Sequence, residues 1–150
     1  MTAVHLVVGV AVMALFAAAG LLGAWRWWRV EPSPWFWRLL RAAQAALGVQ
    51  VVLGGVLLAA GREPSDALHL VYGLLPVAVS FVGEQLRIAA AQTVLDARGL
   101  ADAQAVGALP EAEQRSVVLA ILRRELGAMT LAALFIAGLA IRAGFISGGL

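Results

Sequence analysis

The two histidines of this chain are its clearest candidates for chemistry, because a neutral imidazole binds a metal ion through a ring nitrogen. His5 and His69 are the only histidines, and each lies near the start of a long apolar run. Polar side chains inside apolar, membrane-type segments are costly and are therefore the first candidates for function. Two imidazoles from separate helices at one depth form the ligand pair of a b-type haem in a helical bundle. The sequence therefore predicts His5 and His69 as ligands of a haem iron.

Three further side chains belong to the same predicted site. Tyr72 comes one helical turn after His69, where its hydroxyl would donate a hydrogen bond to a bound group. Arg62 and Arg142 lie at the same side of the predicted bundle, where their guanidinium groups would pair with the haem propionates. We expect these five residues to surround one haem b.

Other interpretations of these residues stay open. A histidine one turn inside a span also has the reach to contact lipid headgroups, as tyrosine and tryptophan do. A structural metal ion would need Glu63 or Asp66 of the following loop as an additional ligand. A quinone bound at the same side would place a carbonyl group against His69 and Tyr72. The sequence alone does not choose among these ligands.

Composition indicates a membrane protein. Of the 150 residues, 62% are hydrophobic and 13% are charged, against roughly 45–50% and 25% in soluble domains. The absence of cysteine excludes disulfides and thiolate metal sites. The sequence has no phosphate-binding glycine loop and no zinc-protease spacing, so no catalytic residue is assigned. Its net charge of +2 does not indicate nucleic-acid binding, because the arginines stand at the ends of apolar runs.

Four apolar segments approach the length of roughly 20 residues that a helix needs to cross a bilayer. They predict an all-α, polytopic membrane protein, a bundle of four transmembrane helices in one domain. Gln44 and Gln50 lie within the second segment, and interhelical hydrogen bonds are the default expectation for both. The predicted spans are residues 3–25, 39–60, 67–83 and 126–146.

Arginine positions predict the orientation, because cytoplasmic loops of membrane proteins collect basic residues. Nine of the eleven arginines follow the first or third span, and only Arg62 and Arg142 lie on the opposite side. Both termini are therefore expected outside the cytoplasm. The first cytoplasmic loop also carries all five tryptophans, which favours a belt of rings at the lipid headgroups over a patch that binds a protein partner. These are Trp25, Trp27, Trp28, Trp35 and Trp37.

Residues 84–125 are predicted to form a cytoplasmic helical hairpin that extends spans three and four. No proline or glycine interrupts residues 84–98, and Gly99 is a suitable end for that arm. Pro110 suits the first turn of the returning arm. The hairpin either packs only on itself or serves as a docking arm for a partner.

The sequence Gln-Val-Val-Leu-Gly-Gly at residues 50–55 is followed, after a short loop with Pro64, by His69. This stretch, about residues 44–76, resembles one four-helix unit of the haem A synthase family. In that family a Gln-x-x-Leu-Gly-Gly helix leads through an outer loop into a helix that begins with a haem-ligating histidine. The resemblance implies that His69 is a haem ligand and that the haem lies at the outer side. Family members carry two such units, whereas this chain has four spans, and His5 matches no motif position. The chain as a whole is similar to small membrane proteins of GC-rich bacteria.

Two functions follow as expectations for a protein of the bacterial inner (plasma) membrane. The first is binding of haem b at the outer side, for electron transfer or haem handling. The second is a cofactor-free accessory or scaffold subunit of a larger membrane complex. Its partner, or a second copy in a homo-oligomer, would bind the cytoplasmic hairpin. The lipid bilayer is a partner in either case, and nucleic acid is not.

Overall fold

The computed structural model describes residues 2–62 and 66–146, and every regular element in these ranges is an α-helix. Four of the helices are long and apolar enough to cross a membrane, which confirms the prediction of an all-helical chain with four candidate transmembrane helices. The helices are α1 (Thr2–Arg29), α2 (Pro34–Ala59), α3 (Ala67–Ala97), α4 (Ala103–Gly107) and α5 (Glu111–Ile146).

Capping residues explain several of these boundaries. Ser33 accepts a hydrogen bond from the backbone N–H of Phe36 and starts α2, with a proline in the first turn. Asp66 starts α3 in the same way by accepting from the N–H of Leu68 at 2.8 Å. Gly99 has a φ of +66°, a left-handed conformation that glycine adopts at little cost. The sequence correctly predicts that α3 ends next to this glycine.

Helix α5 is the central helix of the bundle. It packs extensively against both α1 and α3, whereas α2 packs mainly against α1 and makes few contacts with α3. In its most apolar window 56% of the residues are buried, against 11% in α2 and in α3. The core contains large side chains from three helices, among them Phe16, Phe36, Leu126, Met129 and Ile136. Helices α2 and α3 are therefore peripheral and expose most of their apolar surface.

The two ends of the bundle differ in chemistry. His5 of α1 and His69 of α3 lie against each other at one end, which we call the histidine end. At the other end, which we call the tryptophan end, the five tryptophans lie in the last turns of α1 and the first turn of α2, on either side of the connecting turn. There Arg38 stacks on Trp35, with 5.1 Å from the guanidinium carbon to the ring centroid.

Both α3 and α5 continue beyond the predicted spans, as residues 84–97 and 111–125. Val94 and Val117, one in each of these extensions, are buried. A guanidinium nitrogen of Arg98, at the end of α3, donates to the hydroxyl of Ser116 in α5 at 3.0 Å. The two extended helices are thus tied together next to the connection that contains α4.

Glycine allows α1 and α5 to approach closely, as small residues commonly do in membrane bundles. A Cβ atom at Gly23 would lie 2.6 Å from a ring carbon of Phe36 and would also clash with the Thr130 hydroxyl. Both neighbours are almost fully buried, so neither has room to withdraw.

We expect Gly23→Ala to lower the free energy of unfolding by about 1–3 kcal/mol, the usual cost of overpacking a core. The measurement is unfolding of the detergent-solubilised protein, followed by circular dichroism. Gly138→Ala is the matched control, because no atom outside its own helix lies within 4 Å of a Cβ at that position. Equal stability of the two variants would contradict the close contact at Gly23.

Candidate cofactor-binding site

A cavity of about 610 Å³ lies at the histidine end, between α1, α2 and α3, and Ala140, Ala143 and Gly144 of α5 close one side. Its volume is within the range of about 300–1,000 Å³ that ligand and cofactor sites occupy. Its walls are mostly apolar, and glycines widen it on both α2 and α3. A Cβ atom at Gly55 or Gly73 would have no atom outside its own helix within 4 Å. The cavity therefore exists because α2 and α3 stay apart where these glycines face it.

Two imidazole rings line this cavity, one from α1 and one from α3. The ring centroids of His5 and His69 are 6.3 Å apart, and the ring planes make an angle of 57°. Both side chains are half-buried. The fold thus brings together two residues that are 64 positions apart in sequence.

The ring of His69 is oriented by the backbone of α5. Its Nδ1 lies 3.3 Å from the carbonyl oxygen of Ala143. A carbonyl only accepts hydrogen bonds, so Nδ1 is the donor in this contact, and in the neutral ring Nε2 then carries the lone pair. Metal-binding histidines commonly donate their second ring N–H to such an acceptor, which fixes the tautomer.

The ring of His5 contacts Gln50 of α2, since Nε2 of the histidine lies 3.2 Å from Nε2 of the amide. Nδ1 of His5 and Oε1 of Gln50 are buried and have no hydrogen-bond partner. Rotation of the Gln50 amide by half a turn exchanges its oxygen and nitrogen, so that His5 donates from Nε2 and Nδ1 carries the free lone pair. In either orientation a buried polar atom has no protein partner, and a water molecule or a bound ligand would satisfy it.

The other predicted site residues divide into two groups. Arg62 and Tyr72 line the cavity together with the histidines. Arg142 is exposed on α5, next to Ala143, and does not line the cavity. Asp66 caps α3 through its side chain, and Glu63 lies outside the described residues.

No group of three or more His, Cys, Asp or Glu side chains suited to a metal ion occurs in residues 2–62 and 66–146. A haem iron is a separate case, because the porphyrin supplies four nitrogen ligands and the protein supplies at most two. The pair of histidines is thus compatible with haem although it is too small for an isolated metal ion.

Sequence reasoning did not identify Gln50 as the partner of His5. A Cβ at Gly54, one turn after Gln50, would lie 3.5 Å from the His5 ring, so this glycine leaves room for the ring. Gly9 of α1 contributes as well, since a Cβ there would lie 3.0 Å from the Gln50 amide nitrogen. Small residues on two helices thus make room for one interhelical amide–imidazole contact.

Comparison of the chain with protein-family models, with curated proteins and with solved structures found no match. A function is therefore inferred from the geometry of this cavity.

The contact with Ala143 predicts the tautomer of His69. In ¹⁵N NMR spectra of the haem-free protein in detergent at neutral pH, we expect Nδ1 of His69 to be protonated and Nε2 to be unprotonated. His5→Phe simplifies the measurement, because it leaves His69 as the only histidine. A dominant tautomer with the proton on Nε2 would contradict the hydrogen bond to α5.

Proposed function

We propose that the cavity at the histidine end binds a b-type haem with His5 and His69 as its axial ligands. The protein would serve electron transfer or haem handling in a bacterial inner membrane. The observation that carries this proposal is the pair of imidazoles from two separate helices on the wall of one large, mostly apolar cavity.

The spacing of the rings supports the proposal. Imidazole nitrogens bind zinc at about 2.0–2.1 Å, and we take a similar length for a bond to iron. Each nitrogen lies about 1 Å from the centroid of its ring, so two imidazoles bound to one iron on opposite sides have centroids roughly 6 Å apart. The observed separation of His5 and His69 is 6.3 Å. His69 also carries the carbonyl contact that leaves Nε2 unprotonated.

The surroundings of the histidines suit a flat amphipathic group. Arg62 lines the cavity and would hold a propionate, and Tyr72 would donate its hydroxyl proton to a polar edge. Arg142 would reach a propionate from the exposed face of α5, beside Ala143. The apolar remainder of the wall excludes water from the macrocycle. Haem bound there supplies a one-electron iron couple.

The same proposal includes the orientation predicted from arginine. The histidine end would face the outside of the cell, and the tryptophan end, with the extensions of α3 and α5, would face the cytoplasm. The clustering of nine of the eleven arginines after the first and third spans supports this orientation.

The direct test is the visible spectrum of the protein purified in detergent from cells supplied with haem. We expect a reduced b-type spectrum with about one haem per chain. His69→Ala and His5→Ala should each remove the six-coordinate signal, because each deletes one axial ligand. A colourless wild-type protein after adequate haem supply would overturn the proposal.

A second variant tests whether the haem occupies this cavity, independently of the two histidine ligands. Gly73→Leu adds a side chain to the open space of the cavity and should abolish haem binding with both histidines intact. Gly138→Leu is the matched control, because it adds the same bulk to an open position on α5 that does not line the cavity. Haem binding equal to that of the wild type in Gly73→Leu would place the cofactor elsewhere.

A second candidate function is supported by exposed apolar side chains on the extensions of α3 and α5. Leu86, Ile88, Val118 and Leu119 are exposed there, with Val118 at 55%. If the extensions form a cytoplasmic hairpin, these residues lie outside the hydrocarbon core, where water would surround them. In the alternative function the hairpin docks onto a subunit of a membrane complex or onto a second copy, and the chain is a scaffold.

Val118→Cys tests this alternative and the orientation together, because the chain has no other cysteine. A membrane-impermeant thiol reagent should label it in inside-out vesicles and not in right-side-out vesicles. A docking arm predicts that a photoactivated cross-linker attached to this cysteine joins the chain to a second chain in native membranes. Labelling only from the outer side would overturn the orientation, and cross-links only within one chain would overturn the docking role.

A further inference from the structure

The gap between α2 and α3 continues from the histidine end toward the tryptophan end as a second, shallower groove. This groove has a volume of about 340 Å³. Leu47 and Val51 line both the groove and the cofactor cavity, so the two are contiguous. Gly48, Val77 and Phe81 complete its apolar walls. Because α2 and α3 make few contacts, this face of the bundle is open along its length.

A polar bridge closes the groove at its tryptophan end. Nη1 of Arg41 in α2 donates to Oε1 of Glu84 in α3 at 2.5 Å, and Nε of Arg87 donates to Oε2 at 3.0 Å. The Gln44 amide donates to the Ser80 hydroxyl at 3.0 Å and to Glu84 at 3.1 Å. The bridge therefore contains two guanidinium groups and one carboxylate, and it has a net positive charge.

The donors of this bridge exceed its acceptors. Each guanidinium carries five N–H donors, whereas a carboxylate offers about four lone-pair sites. Arg38 adds a third guanidinium to this region, one helical turn before Arg41. The guanidinium carbon of Arg87 also lies 5.7 Å from the ring centroid of Trp37, and tryptophan favours the headgroup depth of a bilayer. If Trp37 lies at the headgroup depth, the positive charge of the bridge lies at the level of the lipid phosphates.

We propose that the groove between α2 and α3 is a binding site for one acidic phospholipid. Its phosphate is bound by Arg41 and Arg87, with Arg38 nearby, because guanidinium groups match phosphate oxygens in pairs. One acyl chain lies along Gly48 and Val77, in a groove whose walls are almost entirely apolar. Basic pockets between transmembrane helices recognise anionic headgroups in this way. The site does not depend on haem, because the groove is lined without either histidine.

Native mass spectrometry of the protein in detergent tests this site, with phosphatidylglycerol and phosphatidylcholine added as competing lipids. We expect one phosphatidylglycerol to be retained per chain, with at least tenfold preference over phosphatidylcholine. The double variant Arg41→Gln/Arg87→Gln should lose that preference. Arg123→Gln/Arg124→Gln is the matched control, because it removes the same charge from exposed positions of α5 that are not part of the Arg41–Glu84–Arg87 bridge.

A variant that leaves every charge in place tests the acyl-chain half of the site. A Cβ at Gly48 would have no atom outside its own helix within 4 Å, so Gly48→Leu fills the groove without a clash. It should reduce phosphatidylglycerol retention at least fivefold and leave the helical content and any haem spectrum unchanged. Equal retention of the two lipids by the wild type would overturn the proposal. So would equal losses in both arginine double variants, or undiminished retention in Gly48→Leu.

Discussion

The packing of α5 against both α1 and α3 is the constraint from which the other features follow. In the most apolar window of α5, 56% of the residues are buried, and small residues such as Gly23 on α1 let its neighbours approach closely. Since α1 and α3 both occupy the surface of α5, α2 packs mainly on α1 and makes few contacts with α3. The cavity and the groove both lie between these two peripheral helices.

Polar contacts hold α2 and α3 against their neighbours at two levels of the bundle. At the histidine end, Gln50 reaches His5 across the α1–α2 contact, and His69 donates to the α5 backbone at Ala143. At the tryptophan end, the Arg41–Glu84 pair joins α2 directly to α3. Unsatisfied polar groups are expensive in a low-dielectric setting, so these contacts restrict how α2 and α3 rotate about their own axes. Between the two levels, the gap between α2 and α3 is lined mostly by apolar side chains.

The two proposed ligands would use different parts of the same gap. A six-coordinate haem would need two ligands from the protein and room for a rigid, flat ring, and the proposal places both in the wider part of the gap next to His5 and His69. A phospholipid needs an anion-binding headgroup site and a narrow apolar channel, which the part beside Arg41 and Gly48 offers. Leu47 and Val51 belong to both walls, so ligands in the two sites would be near neighbours.

The sequence by itself determined the four long helices and the end of α3, because hydrophobic length and Gly99 act locally. It also indicated that His5 and His69 would share a level, since both begin apolar runs on the same predicted side. Only the tertiary structure decided that α5 is central and that α2 and α3 stay apart. This arrangement depends on which of the four apolar helix surfaces pack against each other. The same packing places Gln50 against His5 and leaves Arg142 outside the cavity wall. The rotation of each helix about its own axis is set by its packing against other helices, and a local sequence pattern does not contain that information.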